Sequence, residues 1–291
     1  MIEFRNSANW SALPLSQDLT NVAFDSIPER NHARTATLAE VIPLLASPDT
    51  GAMLEIADGM LSAPATGERF PLRGARPLLL PSYARNSVCC DELVLPPESV
   101  TTAHLQYLLL SSIKMRGGPQ NSDYSDVWFQ RHVHRARTLL ADVTGLALDI
   151  GCDKPSISSR LFPPEAVFLG LEPSLSASDE FCLCAMAEHL PLRSGSIDAV
   201  ALMTSLDHIL DYHQAVEEAC RVLKPGGCLY LASLVWTERA SLEADTVHFH
   251  HFRDFELQGA LRSLVIERVE RYDWKGDTHR YGVYLAARKR A

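Results

Sequence analysis

From residue 146 onward the chain alternates short apolar runs with longer amphipathic stretches. The runs at 146–150, 166–171, 181–184, 198–203 and 228–234 are apolar almost throughout, as strands buried on both faces are. The stretch 212–223 carries apolar residues at helical spacing and leads through Lys224-Pro225-Gly226-Gly227 into the fifth run. A helix over 252–264 precedes two further runs, 265–272 and 280–287. Strand and helix in alternation predict an α/β fold with a mostly parallel, seven-stranded, Rossmann-like sheet.

The first half reads differently. Residues 1–35 are polar and irregular, with apolar anchors at Phe4, Trp10, Leu13, Leu15 and Phe24, and are expected to form an arm or lid. Residues 36–82 form a small α+β unit: a helix over 38–45, then strands at 52–56 and 60–62 joined at Asp58-Gly59. Residues 83–100 read as a linker stiffened by Pro96-Pro97. The domain over 101–291 opens with two helices. The first, 101–115, carries Leu105, Leu108, Leu109 and Ile113 at helical spacing and stops at Gly117-Gly118-Pro119. The second, 124–143, carries Val127, Trp128, Val133, Leu139 and Leu140.

Composition narrows the classes. Hydrophobic residues make up 46% of the 291, charged residues 22%, and net charge is −9. An acidic chain lacks the clustered Lys and Arg of a broad nucleic-acid surface. No apolar run reaches the ~18 residues of a membrane span, and 1–6 lack the pattern of a secretory signal, so a cytoplasmic protein is expected. Among the seven cysteines none forms a Cys-x-x-Cys pair, and buried reduced thiols are expected. The vicinal Cys89-Cys90 is the one redox-active alternative.

Three blocks carry the chemistry. Leu148-Asp149-Ile150-Gly151-Cys152 and Leu169-Gly170-Leu171-Glu172 close predicted strands, and Ala187-Glu188-His189-Leu190-Pro191-Leu192 follows one. These are the positions where an open α/β sheet binds ligand. In this order and spacing, ending at Arg221-Val222-Leu223-Lys224-Pro225-Gly226-Gly227, they resemble the class I S-adenosylmethionine (SAM)-dependent methyltransferases, type 11-like.

That resemblance implies SAM as methyl donor or sole substrate. It implies a cofactor site of Asp149, Gly151, Cys152, Asp153, Glu172, Pro173, Met186, Ala187, Glu188, Thr204 and Ser205. Glu172 would take both ribose hydroxyls, since one carboxylate offers two acceptors to a vicinal diol. The family has glycine where Asp153 stands, so Asp153-Lys154-Pro155 is expected to crowd or reshape the first loop. Met186, at a position often Asp in the family, would offer the adenine ring a soft apolar contact. Asp207 and His208 are the acid–base candidates. Tyr124 and Trp128, with Tyr107, are candidates to face a sulfonium. The resemblance also implies that the last two strands form an antiparallel hairpin. It further likens 36–82 to a zinc-ribbon domain whose metal-binding turns, 46–51 and 63–67, lack cysteine. No metal is expected: His248, His250 and His251 are read as lining the mouth of the fifth strand, because no second ligand cluster accompanies them.

The function this implies is methyl transfer from SAM to a small molecule in specialised metabolism. Other readings stay open. One is cyclisation of SAM with loss of methylthioadenosine, as in azetidine-2-carboxylate synthases of this fold. The others are methylation of rRNA or tRNA, and a catalytically inactive SAM-binding protein. Oligomeric state is left open by the sequence.

Overall fold

The computed structural model describes residues 10–16, 20–82, 84, 124–173, 180–237 and 248–291. The helix expected over 101–115, Tyr107, Cys89-Cys90 and all of the 83–100 segment except Ala84 lie outside these residues. In chain order come β1 (Leu15–Ser16), β2 (Arg34–Thr35) and a short helix, Leu38–Val41, that continues as a 3-10 turn over Ile42–Leu44. Thr37 caps this helix, accepting from the Glu40 amide, while the Glu40 carboxylate accepts from the Thr37 amide at 2.8 Å. A three-stranded antiparallel sheet follows, β3 (Glu55–Ala57), β4 (Met60–Ala63) and β5 (Glu68–Phe70), then a ribbon of β6 (Leu72–Arg73) and β7 (Arg76–Pro77). Asp58 and Gly59, at φ 52° and 72°, make the tight β3–β4 turn.

The C-terminal half supplies β8 (Gly145–Ile150), β9 (Ala166–Leu171), β10 (Ile197–Met203), β11 (Leu223–Trp236), β12 (Leu264–Asp273) and β13 (Arg280–Lys289). With β1 and β2 they form one sheet in the order β1-β12-β13-β11-β10-β8-β9-β2. The sheet is parallel except where β13 runs against β11 and β12, the expected hairpin. The helices Val127–Leu139, Tyr212–Val222 and Asp254–Ala260 lie within the spans expected of them. Among the described residues no helix is long and apolar enough to cross a membrane.

Among the described residues the sheet has eight strands rather than seven, and the membership differs too. The segment expected to be an arm contributes both outermost strands: Leu15 pairs with Arg271 of β12, and Arg34 with Val167 of β9. The run at 181–184 is not a full strand. β2 occupies the outer edge of β9 at Val167 and Phe168, which leaves Leu183 a single bridge to Leu171. Cys184 bridges onward to Leu78. Its amide donates to the Pro77 carbonyl at 3.0 Å, and its carbonyl accepts from the Leu79 amide at 2.8 Å. Cys182, Leu183 and Cys184 are all buried, so the apolar run reports burial rather than a regular ladder.

Side chains alternate across the sheet. Leu148, Ile150, Leu169, Leu171, Val200 and Leu202 face one core, shared with Val41, Leu45, Leu61 and Phe70 of the small module. Ala147, Ala199, Ala201 and Ala232 face the other. Their small size lets the helix Val127–Leu139 approach closely, packing Val133 and Ala136 against that face. The turns at 46–51 and 63–67, likened above to metal knuckles, are tied by one carboxylate. Glu68 accepts from the hydroxyls of Ser47 at 2.7 Å, Thr50 at 2.6 Å and Thr66 at 2.5 Å. Charge-assisted hydrogen bonds here link two turns that carry no thiolate.

Candidate active site

The C-terminal ends of β8, β9 and β10 lie side by side, because the three strands pair in parallel. β8 delivers Asp149, 1% exposed, with no hydrogen-bond partner on either carboxylate oxygen among the described residues. Burial pushes its carboxyl up to about 7. Ser158 opposes the shift in part without completing an ordinary hydrogen bond, and the nearby Glu172 charge reinforces it. An unsatisfied buried acid at a strand end is costly to the fold on its own.

The loop after β8 turns sharply. Gly151 has φ 80°, and a β-carbon there would lie 2.6 Å from Ser205 Cβ. Ser205 closes the contact from the β10 side, its hydroxyl donating to the Ile150 carbonyl at 2.6 Å. Asp153 is also left-handed, at φ 50°. Asp153 thus takes a glycine-like backbone although it carries a side chain, and Asp is a residue that tolerates this region. So the loop is held in shape rather than crowded out. Tyr124 donates to Asp153 Oδ2 at 3.0 Å, and the Asp153 amide donates to Glu172 Oε2 at 3.3 Å. Glu172 therefore sits at the end of β9 against the first loop, and its own amide donates to the Leu183 carbonyl at 2.9 Å.

The other expected residues divide. Cys152 is buried, and Cys182 beside it, together with burial, holds its thiol well above the usual thiol range. It is a packing group. Pro173 follows Glu172 and accepts from the Cys184 thiol at 3.4 Å. Met186 is 1% exposed and packs with Leu78, Leu80 and Cys184, while Ala187 lies in the main core. Glu188 is buried, its carboxyl raised by desolvation, and it accepts from the Asp211 amide at 3.3 Å, bracing the loop after β10. This segment thus turns its side chains into packing. Trp128 stacks beneath Arg131 of its own helix, 4.7 Å from guanidinium to ring. Tyr124, by contrast, joins the first loop.

The loop after β10 is strained as well. Thr204 has φ 61°, an outlier for a β-branched residue, with its amide held by the Ala232 carbonyl at 2.9 Å. Asp207 follows, 6% exposed, with Oδ1 lacking a hydrogen bond. His208 Nε2 lies 3.8 Å from Asp207 Oδ1, and His248 Nε2 lies 3.9 Å from Oδ2. The two imidazoles are 4.8 Å apart, tilted by 35°.

One member of this edge has no signal in the sequence, and another has a partner there that the sequence does not give. Arg76, from the small module, is 3% exposed and donates to the Glu172 carbonyl at 3.4 Å. His248, expected to line the mouth of the fifth strand, lies with Nε2 3.9 Å from Asp207 Oδ2. The Asp207 carbonyl accepts from the Phe249 amide at 2.8 Å and the His250 amide at 3.3 Å, which brings the later segment in. No local pattern in the sequence signals that pairing. The His251 ring lies 4.4 Å from that of Trp236 at the end of β11.

Residues 148–231 match the family described as a methyltransferase domain. The matched span runs from β8 into β11 and carries Asp149, Gly151, Glu172 and Asp207. A ubiquinone/menaquinone biosynthesis C-methyltransferase UbiE of Chromobacterium violaceum is 26% identical over 160 residues, 54% of this chain and 55% of that protein. A ubiquinone biosynthesis O-methyltransferase of Xanthomonas oryzae pv. oryzae is 28% identical over 149 residues, 41% of this chain and 62% of that protein. The chain therefore spans 55% to 62% of the length of these curated relatives. Among solved structures, 1,6-didemethyltoxoflavin-N1-methyltransferase of Burkholderia thailandensis, with bound 1,6-didemethyltoxoflavin and S-adenosylhomocysteine, aligns with a TM-score of 0.49. It is 15% identical, and the alignment covers 68% of this chain and 94% of that one. The methyltransferase-domain match supports SAM as the cofactor.

Proposed function

We propose that this protein is a SAM-dependent methyltransferase acting on the oxygen of a small molecule. The observation that carries this reading is the buried, unpartnered Asp149 carboxylate beside the left-handed loop at Gly151 and the Glu172 carboxylate. Two carboxylates at adjacent strand ends fit a ligand with a cationic amine at one end and a vicinal diol at the other. Bound SAM supplies an electrophilic methyl group.

This chain's residues have three tasks. Asp149 accepts from the α-ammonium, which would satisfy its two orphaned oxygens. Glu172 accepts from the ribose hydroxyls, while Asp153 and Tyr124 hold the intervening loop in place. On the acceptor side His208, about one third exposed, takes the hydroxyl proton at Nε2, with the Asp207 carboxylate 3.8 Å away to stabilise the resulting imidazolium. The O-methyltransferase relative and the open position of His208 support an oxygen acceptor. The acidic net charge continues to favour a small molecule over RNA.

Two measurements test this. Incubation with SAM alone, read by mass spectrometry, is expected to leave SAM intact, with S-adenosylhomocysteine forming only when a hydroxyl acceptor is added. Methylthioadenosine above the spontaneous background would replace this reading with ring closure or lysis of SAM. Separately, Glu172→Ala is expected to weaken S-adenosylhomocysteine binding about 100-fold by calorimetry, since each lost hydrogen bond to a charged acceptor is worth ~1.5–3 kcal/mol. Unchanged affinity would remove Glu172 from the ribose.

A further inference from the structure

We propose that Asp207, His208 and His248 hold a divalent transition-metal cation at the acceptor side of the site. Their ligand atoms all lie within 4.8 Å of one another. The separations from Asp207, 3.8 and 3.9 Å, exceed hydrogen-bonding distance, so these groups are not simply bonded to each other. Ligands at 2.0–2.2 Å from a common metal stand roughly 3–3.5 Å apart. Closing onto a cation therefore takes movements of ~1 Å or less.

Two further observations point to a ligand. Asp207 is more than nine-tenths buried, and its Oδ1 has no hydrogen bond. A buried carboxylate without a full partner is stabilised by a cation. The scaffold behind the three groups is also fixed. The Asp207 carbonyl binds the amides of Phe249 and His250, and His250 Nε2 lies 2.9 to 3.0 Å from the carbonyls of Leu210 and Ile209. His208 and His248 thus come from two segments clamped together before any ion arrives, as a preorganised site requires. Two imidazoles and one carboxylate suit Zn²⁺, Mn²⁺ or Fe²⁺ and leave coordination positions open. Both imidazoles are partly exposed, so a ligand arriving from solvent can reach those positions.

This inference rests on reading the same strand edge as the methyl-transfer site and changes how the acceptor is activated there. With the cation bound, His208 is a ligand rather than the base. The acceptor's oxygen binds the cation, its O–H bond breaks, and the proton leaves to solvent because the cation lowers the hydroxyl pKa.

The test uses the whole chain, treated with EDTA and then titrated with ZnCl₂ by calorimetry, with zinc counted by mass spectrometry after desalting. One zinc per chain is expected. Asp207→Asn and His248→Ala should each weaken binding at least about 100-fold, beyond the ~10–100-fold lost with an outer-sphere partner. His213→Ala, at an exposed histidine, should leave binding unchanged. Substoichiometric zinc, or equal affinity in the Asp207 and His248 variants, would overturn the site. Should those variants fail to fold, CoCl₂ added to the wild-type chain keeps the question open to measurement: no visible ligand-field band also overturns it. S-adenosylhomocysteine titrated into the EDTA-treated chain separates the two readings. Binding of S-adenosylhomocysteine without zinc uptake sinks the metal site alone, and zinc uptake without S-adenosylhomocysteine binding sinks the methyl-transfer reading alone.

Discussion

Gly151→Ala is expected to lower the melting temperature by roughly 4–20 °C and to remove measurable S-adenosylhomocysteine binding. Two independent penalties act at this position. The backbone is left-handed at φ 80°, which costs an alanine about 1–2 kcal/mol. The new β-carbon would also lie 2.6 Å from Ser205 Cβ and 3.2 Å from Ser205 Oγ, and forced overlap in a packed site typically costs 1–3 kcal/mol. Ser205 cannot swing away freely, being 8% exposed and bonded through its hydroxyl to the Ile150 carbonyl at 2.6 Å. Together the penalties come to about 2–5 kcal/mol, and each kcal/mol shifts the midpoint by roughly 2–4 °C in a domain of this size. Combining Gly151→Ala with Ser205→Gly should recover the steric part and leave the backbone part. A Gly151→Ala protein that melts with the wild type would show that the two loops are not packed as described.

The two loops that Gly151 and Ser205 join were half legible in the sequence. Asp149, Gly151 and Glu172 each end or follow an apolar run, and a run buried on both faces fixes where a strand stops. Their relative placement follows from parallel pairing, which strand–helix alternation already implies. Asp153 was misjudged because the identity of a residue does not reveal its φ: a left-handed turn persists there with a side chain other than glycine. The run at 181–184 misled for a related reason. Hydrophobicity measures burial, and Cys182 to Cys184 are buried between β9 and the small module without forming a ladder. The edge strands Leu15–Ser16 and Arg34–Thr35 are two residues each, too short for any period to show. His248 is the hardest to foresee. It stands 41 residues beyond Asp207 in sequence, and backbone hydrogen bonds to the Asp207 carbonyl bring its segment in.

Asp149→Asn is expected to stabilise the protein most at pH 8, by about a third as much at pH 5, and to weaken ligand binding at pH 8. The wild-type carboxyl is raised by burial to about 7 in the folded chain, against about 4 in an unfolded one. Between those values the folded state holds a proton that the unfolded state has lost. Stability therefore falls as pH rises from about 4 to about 7 and levels off above. The full difference, three pKa units, is on the order of 4 kcal/mol. Asparagine is neutral in both states, so it removes this loss wherever the unfolded carboxyl would be ionised, about a third of it at pH 5 and all of it by pH 8. The same ionisation is what a cationic amine needs from the site. In the wild type S-adenosylhomocysteine affinity should rise with pH through about 7, and binding near pH 6.5 should release close to one proton, measurable as a dependence of the calorimetric enthalpy on the buffer. The variant should lose that proton release along with the affinity. A melting-temperature difference between variant and wild type that stays constant from pH 5 to pH 8 would mean that Asp149 titrates in its ordinary range. The site would then lack the unsatisfied charge from which its function is inferred.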